Sequence, residues 1–309
     1  MLTETLYRAW LYKKTYRNWA SVIKQVKSGK EKVFTILNDG TVMVLGRYVA
    51  MALPNYYVFS GVPSNAEDIT ASNWAEALLK LYGWTFEGDV LYKDFGGRRV
   101  TFQAYYRGEP AYEATIAEVF GVGIYDVDVS GKDVVDIGVG IGDSAIYFFM
   151  KGARSVVGVE PLPNVHDVSM VNLVNNIDIV GKVGIVNGAV AYGVKEVGVP
   201  EVPVLGSAGV RVGKKVKKAV KRVHAYTVKE LAEGVNRDVI KIDCEGCEWD
   251  IFRHESDVVG EFDVVMVEFH GKGRKEIAKF LSQFREKYKY ETVRQVEKMD
   301  TVVVMRKKR

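Results

Sequence analysis

From Lys132 onward, short β-branched runs alternate with helix-patterned segments, and no other feature limits the fold of this chain as much. The runs are DVVDIG (133–138), SVVGVE (155–160), KVGIVNGAV (182–190), DVIKID (238–243) and DVVMVEFH (263–270). They are apolar almost throughout, as expected of strands covered on both faces, and each is followed by a segment able to cross back over a sheet. Helices are predicted within GDSAIYFFMKG, LPNVHDVSMVNLVNNI, TVKELAEGV and GRKEIAKFLSQFREKY. The final stretch differs, because two extended runs flank Lys298-Met299-Asp300 and predict a closing antiparallel hairpin. The expected class is α/β: a Rossmann-like sheet of five parallel strands with a C-terminal antiparallel pair.

The first part of the chain has a mixed texture. Leu6, Trp10, Leu11, Tyr16, Trp19, Ile23 and Val26 recur at roughly helical spacing among lysines and arginines, predicting amphipathic helix. Asp39-Gly40, between two alternating runs, predicts a hairpin, and Gly96-Gly97 repeats the pattern. Between them a helix is expected, with Ser72 or Asn73 as its cap and Gly83 as its stop. The expected division is an α+β region over residues 1–127, making acceptor or partner contacts, and the ligand-binding sheet domain over 128–309.

Composition excludes some classes. At 309 residues, 48% of them hydrophobic, the chain has material for a large core. A net charge of +4 on 43 basic and 39 acidic side chains does not by itself argue for nucleic acid. Two cysteines cannot build a disulfide framework or a four-cysteine zinc site, and their scarcity suggests a reducing compartment. No run is long and apolar enough to span a bilayer, and the N-terminus lacks a signal-peptide pattern, so a cytoplasmic protein without membrane contact is expected.

Ligands of open parallel sheets bind beyond the carboxyl ends of the strands. There the first strand ends in Asp136, followed by Gly138, Gly140 and Gly142, whose bare backbone permits close approach of a ligand to helix N-terminal amides. Eighteen residues after Gly142, Glu160 ends the second strand, where an acid accepts both hydroxyls of a ribose. The spacing is G-x-G-x-G rather than the G-x-G-x-x-G of dinucleotide sites. Asp143 follows it, and an acid there repels a pyrophosphate but suits the ammonium and sulfonium of S-adenosylmethionine. Asp136 is expected to hold the amino-acid head group or to organise the loop. Asn187, after the third strand, is a candidate adenine contact. A glycine-rich structural turn without ligand is the alternative.

The stretch 118–164, EVFGVGIYDVDVSGKDVVDIGVGIGDSAIYFFMKGARSVVGVEPLPN, with NLVNNI after it and DVIKIDCEGCEWDIF further on, resembles the FkbM family of S-adenosylmethionine-dependent methyltransferases. The resemblance covers about Glu118 to His270. Its most specific parts are Glu160-Pro161 and Lys241-x-Asp243-x-Glu245-Gly246-x-Glu248. It implies a class I methyltransferase fold over 128–309, S-adenosylmethionine as cofactor and, typically, O-methylation of sugar or natural-product hydroxyls. Val139 and Ile141 replace the family's usual alanine and asparagine, and the region before Glu118 matches nothing in it.

The fourth strand adds acids. Asp243 and Glu245 are candidates for the general base that takes the proton of an acceptor hydroxyl during in-line methyl transfer, and His270 for base or ligand. A divalent metal held by Asp243 with Glu268 or His270 is a second reading, and helix capping by Glu245 and Glu248 a third. Lys241 is either a substrate contact or a snorkelling side chain. Cys244 and Cys247 are expected to be small apolar fillers; Asn164, Asn172, Asn175 and Asn176 are weaker contact candidates than Asn187, and the helical face shared by Asn172 and Asn176 is equally open to a solvated reading. The basic segment 214–222 suits either a phosphate grip or a solvated face. The expected acceptor is a glycan or another hydroxylated small molecule; an RNA methyltransferase or a binding protein without turnover are the alternatives. The oligomeric state is left open.

Overall fold

The computed structural model describes residues 2–61, 63–103, 110–176, 182–200, 221–271, 273–295 and 301–308. Contacts divide the chain into two units, Met1–Lys93 with Ala104–Gly123, and Asp94–Gln103 with Ile124–Arg309.

In the first unit the amphipathic N-terminal pattern becomes two helices, α1 (Leu2–Thr15) and α2 (Trp19–Lys27). The break falls at Asn18, whose side chain accepts from the Ile36 amide and donates to the Phe34 carbonyl of the next strand. Strands β1 (Lys32–Ile36) and β2 (Val42–Gly46) pair antiparallel around the expected turn. Gly40 turns with φ 97° while the Asp39 carboxylate accepts from the Thr41 amide. Helix α3 (Arg47–Ser60) follows, and α4 (Trp74–Leu81) is capped by Asn73, whose side chain accepts from the amides of Ala75 and Glu76. Strand β3 (Thr85–Glu87) pairs with the start of β4 (Val90–Phe95). Helix α5 (Pro110–Ala117) runs into a π-helical turn over Glu118–Val122, ended by Gly123 at φ 71°.

In the second unit, β5 (Arg98–Gln103) follows the Gly96-Gly97 turn, both glycines having positive φ. The remaining elements follow in the order β6 (Asp133–Ile137), α6 (Asp143–Met150), β7 (Ser155–Glu160), α7 (Pro163–Asn175), β8 (Val183–Val190), β9 (Glu196–Val199), β10 (Lys221–Tyr226), α8 (Val228–Leu231), β11 (Val239–Ile242), α9 (Glu248–Val259), β12 (Val264–Phe269), α10 (Arg274–Leu281), β13 (Tyr288–Gln295) and β14 (Thr301–Lys307). They form one sheet in the order β13-β14-β12-β11-β6-β7-β8-β10-β9.

The five runs expected to be parallel are β6, β7, β8, β11 and β12, and β13–β14 is the expected antiparallel pair. Two strands extend the β8 edge beyond the expectation: β10, parallel to β8, and β9, antiparallel to β10. This sixth parallel strand differs from the one a nicotinamide domain adds, because the place beyond β12 is held by antiparallel β14. The central strands bury every position, as their unbroken apolar runs require. Most of segment 214–222 and the turn Lys298-Met299-Asp300 lie outside the described residues; of the former, Lys221 and Arg222 begin β10, and Arg222 pairs with Glu196 at 2.9 Å.

Of the two readings open for Asn172 and Asn176, the solvated face does not hold: both are buried and bind backbone. Asn172 accepts from the Gln103 amide and donates to the Ile141 carbonyl. Asn176 accepts from the Thr101 amide and donates back to the Thr101 carbonyl. Helix α7 thus presents two side-chain amides as substitute strand partners for β5, a pairing that periodicity along α7 cannot reveal.

Candidate active site at the strand ends

Strands β6 and β11 are neighbours with Asp136 opposite Lys241, and this register sets the site. Lys241 is almost fully buried, and its Nζ lies 2.6 Å from the Gly138 carbonyl, 3.1 Å from Asp136 Oδ1 and 3.6 Å from Asp243 Oδ2. Burial alone would lower its pKa, but Asp136, Asp243 and Asp143 raise it, so Lys241 is charged. It neither snorkels to solvent nor stands free for a substrate. Asp136 is fully buried, accepting also from Ser144 Oγ at 2.6 Å; burial pushes its carboxyl up against the lowering effect of Lys241. One Asp136 oxygen faces Lys241 and the other Ser144.

The glycine turn wraps this ion pair. Gly138, Gly140 and Gly142 all have positive φ, and Gly142 immediately precedes α6. Asp143, at the first turn of α6, is buried and pushed up to about 7 by desolvation. Glu160, at the end of β7, reaches back to the same turn: its Oε2 accepts from the Gly140 amide at 3.0 Å and its Oε1 from the Leu162 amide at 2.9 Å. Burial raises it to about 7 despite those two bonds. Asn187, opposite Glu160 on β8, donates to the Glu160 carbonyl at 2.9 Å and so fixes the turn after β7.

A second group of acids surrounds His270, just past β12. Its Nε2 lies 3.8 Å from Asp243, 3.6 Å from Glu245 and 4.0 Å from Glu268, and its Nδ1 contacts Glu248. Burial opposes the charge of the ring, but Glu248, Asp243 and Glu245 raise it to about 10. With a carboxylate at Nδ1 and others near Nε2, the charged ring is the favoured form, and in that form it has no lone pair for another proton. The charged ring faces four carboxylates at once. Glu248 is buried; one oxygen faces His270 and accepts from the Gly246 amide, and the other has no hydrogen-bond partner among the described residues.

Tyr125 was not singled out from sequence, yet it joins the two groups. Its buried hydroxyl donates towards Asp243 Oδ2 at 2.8 Å and Glu268 Oε2 at 3.2 Å, and its ring lies 5.1 Å from Lys241 Nζ. It sits in the loop before β6, where no periodicity marks it; the signal available was its place inside the FkbM-like block. Among the described residues, no group of three or more His, Cys, Asp or Glu is arranged to hold a metal ion.

The cysteines correct a further expectation. Cys244 and Cys247 are joined in a disulfide across the loop between β11 and α9 and are not separate apolar fillers. Four consecutive residues carry the bridge, with Glu245 at φ 56° and Gly246 at φ 119°.

A sheet with β8-β7-β6-β11-β12 parallel, β14 inserted antiparallel beyond β12, and a glycine turn with two acids at the ends of β6 and β7 is the framework of a class I methyltransferase. A family model described as the methyltransferase FkbM domain matches residues 136–292. The chain belongs to the FkbM family of S-adenosylmethionine-dependent methyltransferases. Among solved structures it is similar to an FkbM methyltransferase from Methylobacillus flagellatus KT (TM-score 0.43, 15% identity, 62% of this chain and 47% of that one), so it spans about half the length of that relative. It is also similar to Aeropyrum pernix fibrillarin with S-adenosyl-L-methionine natively bound (TM-score 0.40, 11% identity, 89% and 94%) and to M. capricolum TrmK with S-adenosyl-homocysteine (TM-score 0.37, 10% identity, 63% and 68%). No curated protein matches the chain in sequence. No helix among the described residues is long and apolar enough to cross a membrane.

Proposed function

We propose that the chain transfers the methyl group of S-adenosylmethionine to a hydroxyl of a sugar, glycan or other small hydroxylated acceptor. The carrying observation is the charge of the strand-end cluster. Asp136, Asp243, Glu245, Glu248 and Glu268 face two cations, Lys241 and His270. Such a surplus of carboxylate attracts a sulfonium and an ammonium, tolerates a neutral hydroxyl and repels a polyphosphate chain.

In this reading the Gly138–Gly142 turn, whose glycines carry no side chain, would let the cofactor approach its backbone, the Glu160 carboxylate would accept from the ribose, and Asn187 would hold the adenine side of the cleft. Asp243 takes the proton of the acceptor hydroxyl. It is partly exposed where Lys241, Tyr125 and His270 all orient it, and it would accept the hydroxyl proton while the bound cofactor supplied the methyl group and left as its thioether.

The test is a mass-spectrometric screen of glycans, small alcohols and RNA with an isotopically labelled methyl donor. Labelled methyl on a carbohydrate or alcohol oxygen is the expected result; labelled RNA as the sole product overturns the acceptor class. Asp243→Asn should then reduce kcat by about 10²- to 10³-fold with KM for the donor nearly unchanged, the loss expected of a missing general base.

A further inference from the structure

We propose that Cys244 and Cys247 form a thiol–disulfide exchange site, taking a dithiol reductant, whose closed bridge holds Glu245 inside the acid cluster. The activity readout below rests on the methyltransferase reading; the spectroscopic one does not. The two cysteines are the only ones in the chain and are bonded to each other. They occupy two of the open positions of Lys241-x-Asp243-x-Glu245-Gly246-x-Glu248, so every acid of that motif lies next to the bridge or inside it.

The geometry couples the bridge to the site from three sides. On the strand side, the Asp243 amide donates to the Ile137 carbonyl at 2.9 Å, which anchors the start of the loop to β6. On the helix side, Cys247 is the residue that precedes α9, and the Gly246 amide donates to Glu248, the buried partner of His270. Between these anchors Glu245 is the one described non-glycine residue with positive φ, a conformation an L side chain avoids unless its surroundings impose it. In that conformation its carboxylate stands 3.6 Å from His270 Nε2. A four-residue ring closed by sulfur restricts the loop to few conformations, and opening it allows Glu245 to relax to negative φ and move away from His270. Both cysteines are half-buried at the border of the core, and the thiol count below reads whether a reductant reaches their sulfurs.

The exchange balances as two thiol substitutions. A thiolate of the dithiol attacks one bridge sulfur; the Cys244–Cys247 bond breaks, a mixed disulfide forms, and the other cysteine leaves as a thiolate and takes up a proton. The second thiol of the reductant then displaces the remaining cysteine and leaves with the first as a cyclic or paired disulfide. Two electrons and two protons pass to the protein pair.

The test uses the whole chain, untreated and after dithiothreitol in native buffer, with exposed thiols counted by a maleimide reagent and the fold checked by circular dichroism. Two thiols should appear in the folded protein. Methyl transfer should fall about fivefold or more, the factor expected when a residue no longer held in the left-handed region leaves its site. S-adenosylmethionine Kd should change by less than about twofold, because the glycine turn and Glu160 lie outside the loop. Reoxidation with diamide should restore the rate, and C244S/C247S should behave as the reduced form under all conditions. Independently of turnover, the His270 imidazole followed by NMR should titrate at lower pH in the reduced protein, because a carboxylate has left it. A bridge that resists reduction in the folded chain, or a His270 titration unchanged by reduction, overturns the proposal. A donor bound by neither form overturns the methyltransferase reading and leaves the His270 titration to decide on the bridge.

Discussion

At Gly138 the backbone has φ 81°, and a Cβ there would stand 1.7 Å from the Asp243 carbonyl oxygen. At Gly140 φ is 57°, but the nearest atom to such a Cβ is Asp143 Oδ1 at 3.7 Å. Two substitutions that look equivalent in sequence should therefore differ. Gly140→Ala is expected to cost about 1–2 kcal/mol, the penalty of the left-handed region. Gly138→Ala carries that penalty and must also separate β6 from the β11 loop, for a total of about 3–5 kcal/mol. Chemical denaturation of both variants checks the order, and equal losses would mean that the loop moves aside freely. The glycines themselves were legible because missing side chains are visible in a sequence. The reason one of them is indispensable was not, since the clashing atom comes from a residue 105 positions away, 243 − 138. Lys241 shows the same limit: a lysine in an apolar run reads as a tip that escapes to solvent, until the register with Asp136 supplies a buried partner.

Among the elements, the strands and helices of the second unit were predictable, since apolar runs and helical periodicity are local properties of the chain. The β9–β10 extension was not, because VGV and VHAY are short runs whose pairing depends on an edge offered by β8. The clasp of β5 by α7 is another case in which polar residues carry long-range structure. Asn172→Ala removes a bond to Gln103 and one to Ile141, both buried, and should destabilise the second unit by about 2–3 kcal/mol. The local signature is faster amide exchange at Thr101 and Gln103, read by mass spectrometry or NMR. Unchanged protection there would show that β5 is held by other contacts. Asn175→Ala, three positions further along the same helix, serves as the comparison, as no described bond of its side chain enters this clasp.

For the whole molecule, the balance of buried charge makes stability and cofactor binding respond to pH in opposite senses. Glu160 and Asp143 have folded pKa values of about 7, above their ordinary values of 4.5 and 3.8, so their contribution to stability is full below those ordinary values and is lost as pH rises through about 7. His270, raised from 6.5 to about 10, stabilises fully below 6.5 and ceases to do so as pH rises through about 10. Ribose recognition in the proposed function needs ionised Glu160. S-adenosylmethionine should thus bind about tenfold more tightly at pH 8 than at pH 6, with a proton released on binding, while the free protein is less stable at the higher pH. Calorimetry in two buffers of different ionisation enthalpy measures both the affinity and the proton; an affinity independent of pH would remove Glu160 from the ribose. The sequence alone determined the parallel sheet, its closing hairpin, the glycine turn and the acids at the strand ends, because strand periodicity, turn chemistry and residue type are written locally. Tertiary structure decided which acids are paired, that four carboxylates surround His270, that Tyr125 joins the two acid groups and that the cysteines are bonded. Charge state and bonding depend on neighbours brought together from distant parts of the chain, and burial makes those neighbours, rather than water, the medium in which each group titrates.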